Sequence, residues 1–160
     1  TAMNVDPSAE DLVKITEASV DLVARFGIEP KVALLSHSNF GTSNAGSAKK
    51  MRTASELLRK KYPELQIDGE MHVLSALNPA LRDTIYSQAN LEGRANVLVM
   101  PSLDSANIAM GLIRSLTDAL LIGPFINGFR KPAHIVIPSV SSRGIFNMTA
   151  LTVADIHAAK

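Results

Sequence analysis

Val32-Ala33-Leu34-Leu35 is a run of four apolar residues that stops abruptly at Ser36. Such a run is too short for a helix and suits a strand buried on both faces, as in a parallel sheet. Ser36, His37, Ser38, Asn39, Gly41, Thr42, Ser43, Asn44, Gly46 and Ser47 follow, a loop of small hydroxyls, amides and glycines that lets backbone N–H groups approach a ligand. Helical spacing then takes over: Met51, Ala54, Leu57, Leu58 and Tyr62 form one apolar stripe, with Lys49, Lys50, Arg52, Arg59, Lys60 and Lys61 mainly beside or opposite it. Strand, polar loop and helix N-terminus together make the place where open α/β sheets bind anions. The same composition also serves simply to cap a helix, so the residues leave both readings open. GKS/T and GxGxxG are both absent, so neither a phosphate-loop nor a dinucleotide fingerprint is present.

The rest of the chain repeats this plan. Before it, Asp6-Pro7 reads as a helix start, and Leu12, Ile15, Ser19, Leu22, Val23 and Phe26 keep helical spacing as far as Gly27. After it, 65–73 reads as a strand broken at Gly69, and Asn78-Pro79 opens a helix over 80–89. The apolar run 95–100 is a third strand, stopped by Pro101. The small residues 102–107 form a second polar loop, and 108–116 is helical. A short strand or buried segment is expected over 118–122, a further strand over 133–137, and a last helix over 143–159 with Met148, Leu151 and Ile156 inward. Strands alternating with helices imply an α/β fold: one ordinary domain with a mainly parallel twisted sheet and helices on both faces, its loops converging at the strand C-termini.

Composition removes several function classes. Sixteen basic and fifteen acidic residues leave a net charge of +1, and aromatics make up only 4%, so neither bulk charge nor base stacking argues for nucleic acid. The lack of cysteine excludes disulfides, thiol catalysis and Cys–zinc sites and fits a cytoplasmic setting. No apolar run approaches the roughly 18 residues of a membrane span, and no signal peptide is evident. The first residue is Thr1, which suggests a processed chain or a piece of a longer one.

Catalytic candidates are thin. His37, His72, His134 and His157 are scattered without metal-ligand spacing, so no metal site is expected. Asp68 and Glu70 alternate along a strand and share a face; such a pair suits acid–base work or, more commonly, the stabilisation of a loop. Ser36 and Ser38 lack a GxSxG context and an evident base. Lys49, Lys50 and Arg52, in the first turns of a helix, are the stronger anion candidates, against the alternative of a solvated basic face.

Taken in order, LSHSNFGTS, PELQIDGEM, ANVLVMPSLDSANIA, IGPFINGFRKPAH and FNMTALTVADIH resemble the phosphotransacetylase family over nearly the whole chain. The DGEM and NMTAL wording is most similar to the phosphotransacetylase-like C-terminal domain of hybrid NADP-dependent malic enzymes. The resemblance implies the second half of a two-lobed α/β domain whose lobes enclose a CoA-thioester cleft. It implies that Ser36, Ser38, Asn39, Gly41, Thr42, Ser43, Asn107, Gly123, Pro124, Arg143 and Asn147 lie at that cleft. It also implies a homodimer or higher homo-oligomer, acetyl-CoA as a regulatory ligand, and NADP and a divalent metal bound only in the malic-enzyme part of a parent chain.

The departures bear on activity. Acyltransferases of this family carry a Ser-Arg pair seven residues before the Asp-Ile-Val-Asn that opens the last helix. Anchoring that helix here sets Gly144-Ile145-Phe146-Asn147 on Asp-Ile-Val-Asn and Ile137-Pro138 on Ser-Arg. A literal Ser142-Arg143-Gly144 stands five residues too near Asn147, so Arg143 is read as a phosphate contact and not as the catalytic arginine. Leu74 stands where relatives commonly have Asp. Loss of such groups typically costs tens to thousands-fold in rate, and no catalytic residue is assigned. Two other readings stay open: an active phosphate acetyltransferase fragment and a purely structural dimerisation module.

Overall fold

The computed structural model describes residues 4–119, 122–126, 131–136, 138 and 140–158. The apolar run becomes β1 (Lys31–Leu35), the central strand of a three-stranded parallel sheet ordered β2-β1-β3, with β2 at Gln66–Met71 and β3 at Val97–Val99. Strand alternation sends Val32 and Leu34 to one face. There they pack with Ile67, Val97 and Val99 against Leu12 of α1 (Ala9–Arg25) and Met51, Ala54 and Leu58 of α2 (Gly46–Lys61). Ala33 and Leu35 point to the other face, with Met71, Leu91, Ala95 and Ala76 of α3 (Val73–Leu77). Each fully buried Val, Leu, Ile or Met contributes about 1.5–3 kcal/mol, so both faces of β1 anchor the fold.

The chain runs from β1 out to β2 and returns across β1 to β3. Right-handed crossovers in opposite directions put their helices on opposite faces, which is why α2 and α3 lie on different sides of the sheet. The direction reverses between β1 and β3, and the crevice of such a sheet opens at the C-terminal ends of those strands.

Several boundaries differ from the sequence reading. The cap of α1 is Ser8, not Asp6: Ser8 Oγ accepts from the Asp11 amide and Asp11 Oδ2 accepts from the Ser8 amide, while Asp6 is drawn to Lys50 Nζ at 2.6 Å. In α2 the buried stripe is Ala48, Met51, Ala54, Ser55 and Leu58. Leu57 is 40% exposed, because six residues carry it about 240° round the helix from Met51. β2 stops at Met71, since the His72 amide is captured by Asn39 Oδ1 at 2.8 Å. Asn78 caps α4 (Pro79–Ile85) as expected, but the helix ends early, where Tyr86 turns extended and stacks on Phe40 with ring centroids 4.3 Å apart.

α5 spans Leu103–Leu116, starting earlier than expected because Ser102 and Ser105 exchange hydrogen bonds at its first turn. Asn107 therefore lies within a helix and not in a loop. Asp118, Ala119 and Ile122 are irregular and exposed, where a strand or buried segment was expected; 120 and 121 lie outside the described residues. Residues 133–136 are likewise irregular, and Ile137 lies outside the described residues. An apolar run supplies side chains, but a strand exists only where a neighbour pairs with it. In α6 (Ser142–Ala158) Met148 is buried and Leu151 half-buried, whereas Ile156, expected inward, is 47% exposed. The chain divides into two compact units, Thr1–Ala109 and Met110–Lys160; the described sheet belongs to the first.

Candidate functional site

The loop after β1 is shaped by the residues of β2 beside it. Gly69 has φ 143°, and a Cβ there would stand 2.6 Å from the Leu34 carbonyl oxygen, so glycine alone lets the two strands approach this closely. The pairing skips a residue here, from Leu34↔Gly69 to Leu35↔Met71, and Glu70 is the residue left over. Its backbone carbonyl accepts from the Phe40 amide at 2.7 Å, with Phe40 at φ 45°, and the Ser36 amide donates to the Met71 carbonyl at 2.9 Å. The loop is thereby folded back over the end of β2.

The Glu70 side chain is fully buried and collects donors from two elements. The Ser38 hydroxyl donates to Oε1 at 2.7 Å and the Gly41 amide at 2.9 Å, while Arg52 of α2 forks onto both oxygens, Nε to Oε2 and Nη2 to Oε1, at 2.9 Å each. Burial pushes the Glu70 carboxyl up, but Arg52, Ser38 and Gly41 together outweigh it and hold the group below the usual glutamate range. Arg52 also donates to the Ser43 carbonyl at 2.8 Å. Ser38 Oγ accepts from the Ser43 amide at 3.0 Å and shares a bond with Thr42 Oγ1 at 3.1 Å. Asn39 Oδ1 accepts from the His72 amide and from Ser75 Oγ. His72 Nε2 lies 2.6 Å from the His37 carbonyl, which can only accept, so that nitrogen carries the proton.

Six residues expected at the cleft, Ser36, Ser38, Asn39, Gly41, Thr42 and Ser43, thus share this one loop. Asn107 is an exposed residue of α5 in the first unit. Gly123, Pro124, Arg143 and Asn147 belong to the second unit, with Arg143 exposed in the first turn of α6 and Asn147 half-buried in the same helix. Of the three cations expected to meet an anion, Arg52 is committed to Glu70 and Lys50 to Asp6 and the Pro101 carbonyl; Lys49 remains exposed.

Asp68 and Glu70 do not act as a carboxylate pair. Asp68 is held separately by Arg59 Nη1 at 3.0 Å and by the Leu91 amide at 2.8 Å, and its burial dominates, holding its carboxyl above the usual aspartate range. Both carboxylates stabilise neighbouring segments. Loop stabilisation, the commoner of the two expected roles, is the one Glu70 takes, while its partners on α2 went unread, although two acids in a strand flanked by apolar residues signal that cations must come from elsewhere. Arg52 and Arg59, two helical turns apart on α2, supply them.

What the loop can do chemically follows. Ser38 is buried and already donates its proton to a carboxylate held low by Arg52, so it has neither the access nor the base of a nucleophile. Outside this core the loop presents Thr42, Asn44 and Ala45, and α2 opens with Gly46 and Ser47, all five exposed. Ala45 at the cap position provides no side-chain bond and the first turn has no acid, a setting that suits a phosphate-like anion.

The profile described as "Phosphate acetyl/butaryl transferase" matches residues 1–153. The chain is 48% identical over 156 residues to the NADP-dependent malic enzyme of Escherichia coli (strain K12), covering 97% of this chain and 21% of that protein. It is 47% identical over 155 residues to the NAD-dependent malic enzyme of Rhizobium meliloti (strain 1021), covering 97% and 20%. A crystal structure of a phosphotransacetylase from Streptococcus pyogenes superimposes with a TM-score of 0.88 at 32% identity, over 95% of this chain and 46% of that one. The chain therefore spans about a fifth of the length of the malic enzymes and just under half of that phosphotransacetylase.

Proposed function

The chain belongs to the phosphate acetyl/butyryl transferase family, and from that premise we propose that it is the regulatory, acetyl-CoA-binding and oligomerising portion of a malic enzyme. One observation carries this: identity of 47–48% along 97% of the chain to two malic enzymes, against 40% along 83% of it to a phosphate acetyltransferase of Escherichia coli (strain K12) and 32% to the phosphotransacetylase of matching fold. In this reading the parent decarboxylates malate oxidatively to pyruvate and CO2, with its NAD or NADP and its divalent metal held outside these residues. Acetyl-CoA binds through the loop 36–43 and lowers the malate reaction. It does so by binding one arrangement of the oligomer more tightly than the other, since a ligand shifts an equilibrium only through differential affinity.

Catalytic silence of this portion rests on its residues. Ile137-Pro138 and Gly144 stand where the acyltransferases place Ser-Arg and Asp, and Ser38 is spent on Glu70. Binding needs less: backbone donors, a few cations and an apolar slot. Oligomerisation is supported by α5, in which no residue is buried and Ile108, Leu112, Ile113 and Leu116 are each at least half exposed.

The test is titration calorimetry of acetyl-CoA, with CoA and acetyl phosphate as controls, into this chain and into the full-length protein, alongside malate-dependent NAD(P)H formation. Binding by the full-length protein with a slower malate reaction is the expected result. CoA-dependent release of phosphate from acetyl phosphate would instead favour the acyltransferase reading, which the TM-score of 0.88 to a phosphotransacetylase keeps in view. Normal oligomerisation with no CoA binding would leave a dimerisation scaffold.

A further inference from the structure

Three donors that a Ser- and Gly-rich loop and the helix after it would offer an incoming anion are already directed at an internal one. The Ser38 hydroxyl, the Gly41 amide and the Arg52 guanidinium converge on the fully buried Glu70 carboxylate at 2.7–2.9 Å. The neighbouring polar groups have other duties: Asp68 holds Arg59 and the Leu91 amide, Asn39 Oδ1 holds the His72 amide, and the His72 ring meets the His37 carbonyl. Glu70 is thus a resident anion around which the loop is wound, and Arg52 closes the winding from α2 by reaching the Ser43 carbonyl as well.

Resting on the acetyl-CoA reading above, we propose that Glu70 and Arg52 are positioning residues for the ligand loop. They fix residues 38–43 in the binding shape, so that Ser38, Gly41 and Arg52 act through the loop's form while its exposed residues Thr42, Asn44 and Ala45 and the start of α2 meet the ligand. A charge-assisted two-point pair is suited to this, because it specifies orientation as well as strength. Lysine in place of Arg52 would keep the charge and lose the fork. Glutamine in place of Glu70 would keep the shape, lose the charge and set an amide N–H against donors.

The test uses the full chain, isotope-labelled, with amide hydrogen exchange read residue by residue. In Glu70→Gln the Gly41 and Ser43 amides should exchange about tenfold faster or more, while those of Val32, Ala33 and Leu34 in β1 keep their wild-type protection. Arg52→Lys should loosen the same amides to a smaller extent, and it decides the matter by the same criteria if Glu70→Gln does not fold. Acetyl-CoA titrated into the full-length protein carrying the same substitutions should bind about tenfold more weakly to Glu70→Gln, with Arg52→Lys between it and wild type. Unchanged exchange at Gly41 and Ser43 would overturn the proposal. So would loosening that spreads equally into β1, which would make the pair a support of the whole fold. So would a loosened loop that binds acetyl-CoA as well as wild type. If the full-length wild type binds no acetyl-CoA, the regulatory reading falls, and the exchange data alone decide whether Glu70 and Arg52 hold the loop.

Discussion

Arg52 and Glu70 meet at two points, Nε to Oε2 and Nη2 to Oε1, with the carboxylate fully buried and the arginine side chain 27% exposed. One residue pair therefore ties the second turn of α2 to the bulge of β2 and, through Ser38 and Gly41, to the loop between β1 and α2. Glu70→Gln should cost about 1.5–3 kcal/mol of stability, the range for a hydrogen bond to a charged group, read from the urea midpoint at constant slope.

The acid sensitivity of that cost has a definite sign. The folded carboxyl of Glu70 is held below its ordinary 4.5, so its charge-linked contribution is full above that value and is lost as pH falls through the folded pKa. Asp68 runs the other way. Its folded pKa is raised above 3.8 by burial, so its contribution is full below that value and is lost as pH rises through the folded pKa. Urea unfolding from neutral pH down to about pH 3 should show wild type and Glu70→Gln converging on acidification. Across the same range Asp68→Asn should lose least relative to wild type at the neutral end.

Two glycines should respond in opposite ways to alanine. At Gly69 the added Cβ meets the Leu34 carbonyl oxygen at 2.6 Å in a backbone with φ 143°, so Gly69→Ala should cost more than about 3 kcal/mol. At Gly111, inside α5, a Cβ meets nothing within 4 Å, and Gly111→Ala should gain about 0.5–1 kcal/mol of helix stability. Denaturant midpoints of both variants check the pair.

α5 offers a test of self-association. Leu112 and Leu116 are 55% and 79% exposed, so Leu112→Asp and Leu116→Asp should leave the monomer's stability within about 0.5 kcal/mol while shifting sedimentation velocity from oligomer towards monomer. Unchanged sedimentation in both variants would remove α5 from the interface.

Much of the first unit could be read from local pattern. Val32–Leu35 as a doubly buried strand and the stripe of Met51, Ala54 and Leu58 follow from spacing alone, because burial of a regular element repeats with its period. The family likeness, too, was carried by short ordered segments. The pattern misled where an apolar run had no pairing neighbour among the described residues, as over 133–136. It also misled where a short-range bond moved a helix end, as with Ser8 and Asp11 or Ser102 and Ser105.

The fate of the loop donors lay beyond the reach of local pattern. Sequence alone determined that small polar residues would follow β1 and that two acids would sit in β2, since composition and alternation are properties of neighbouring positions. Only the tertiary structure decided that Ser38, Gly41 and Arg52 would turn to Glu70, because those partners stand 32, 29 and 18 residues away from it. Which of several available cations satisfies a buried carboxylate is settled by where packing of α2 on the sheet places each one. Met51, Ala54 and Leu58 fix that placement through apolar contact, and the ion pairs follow from it.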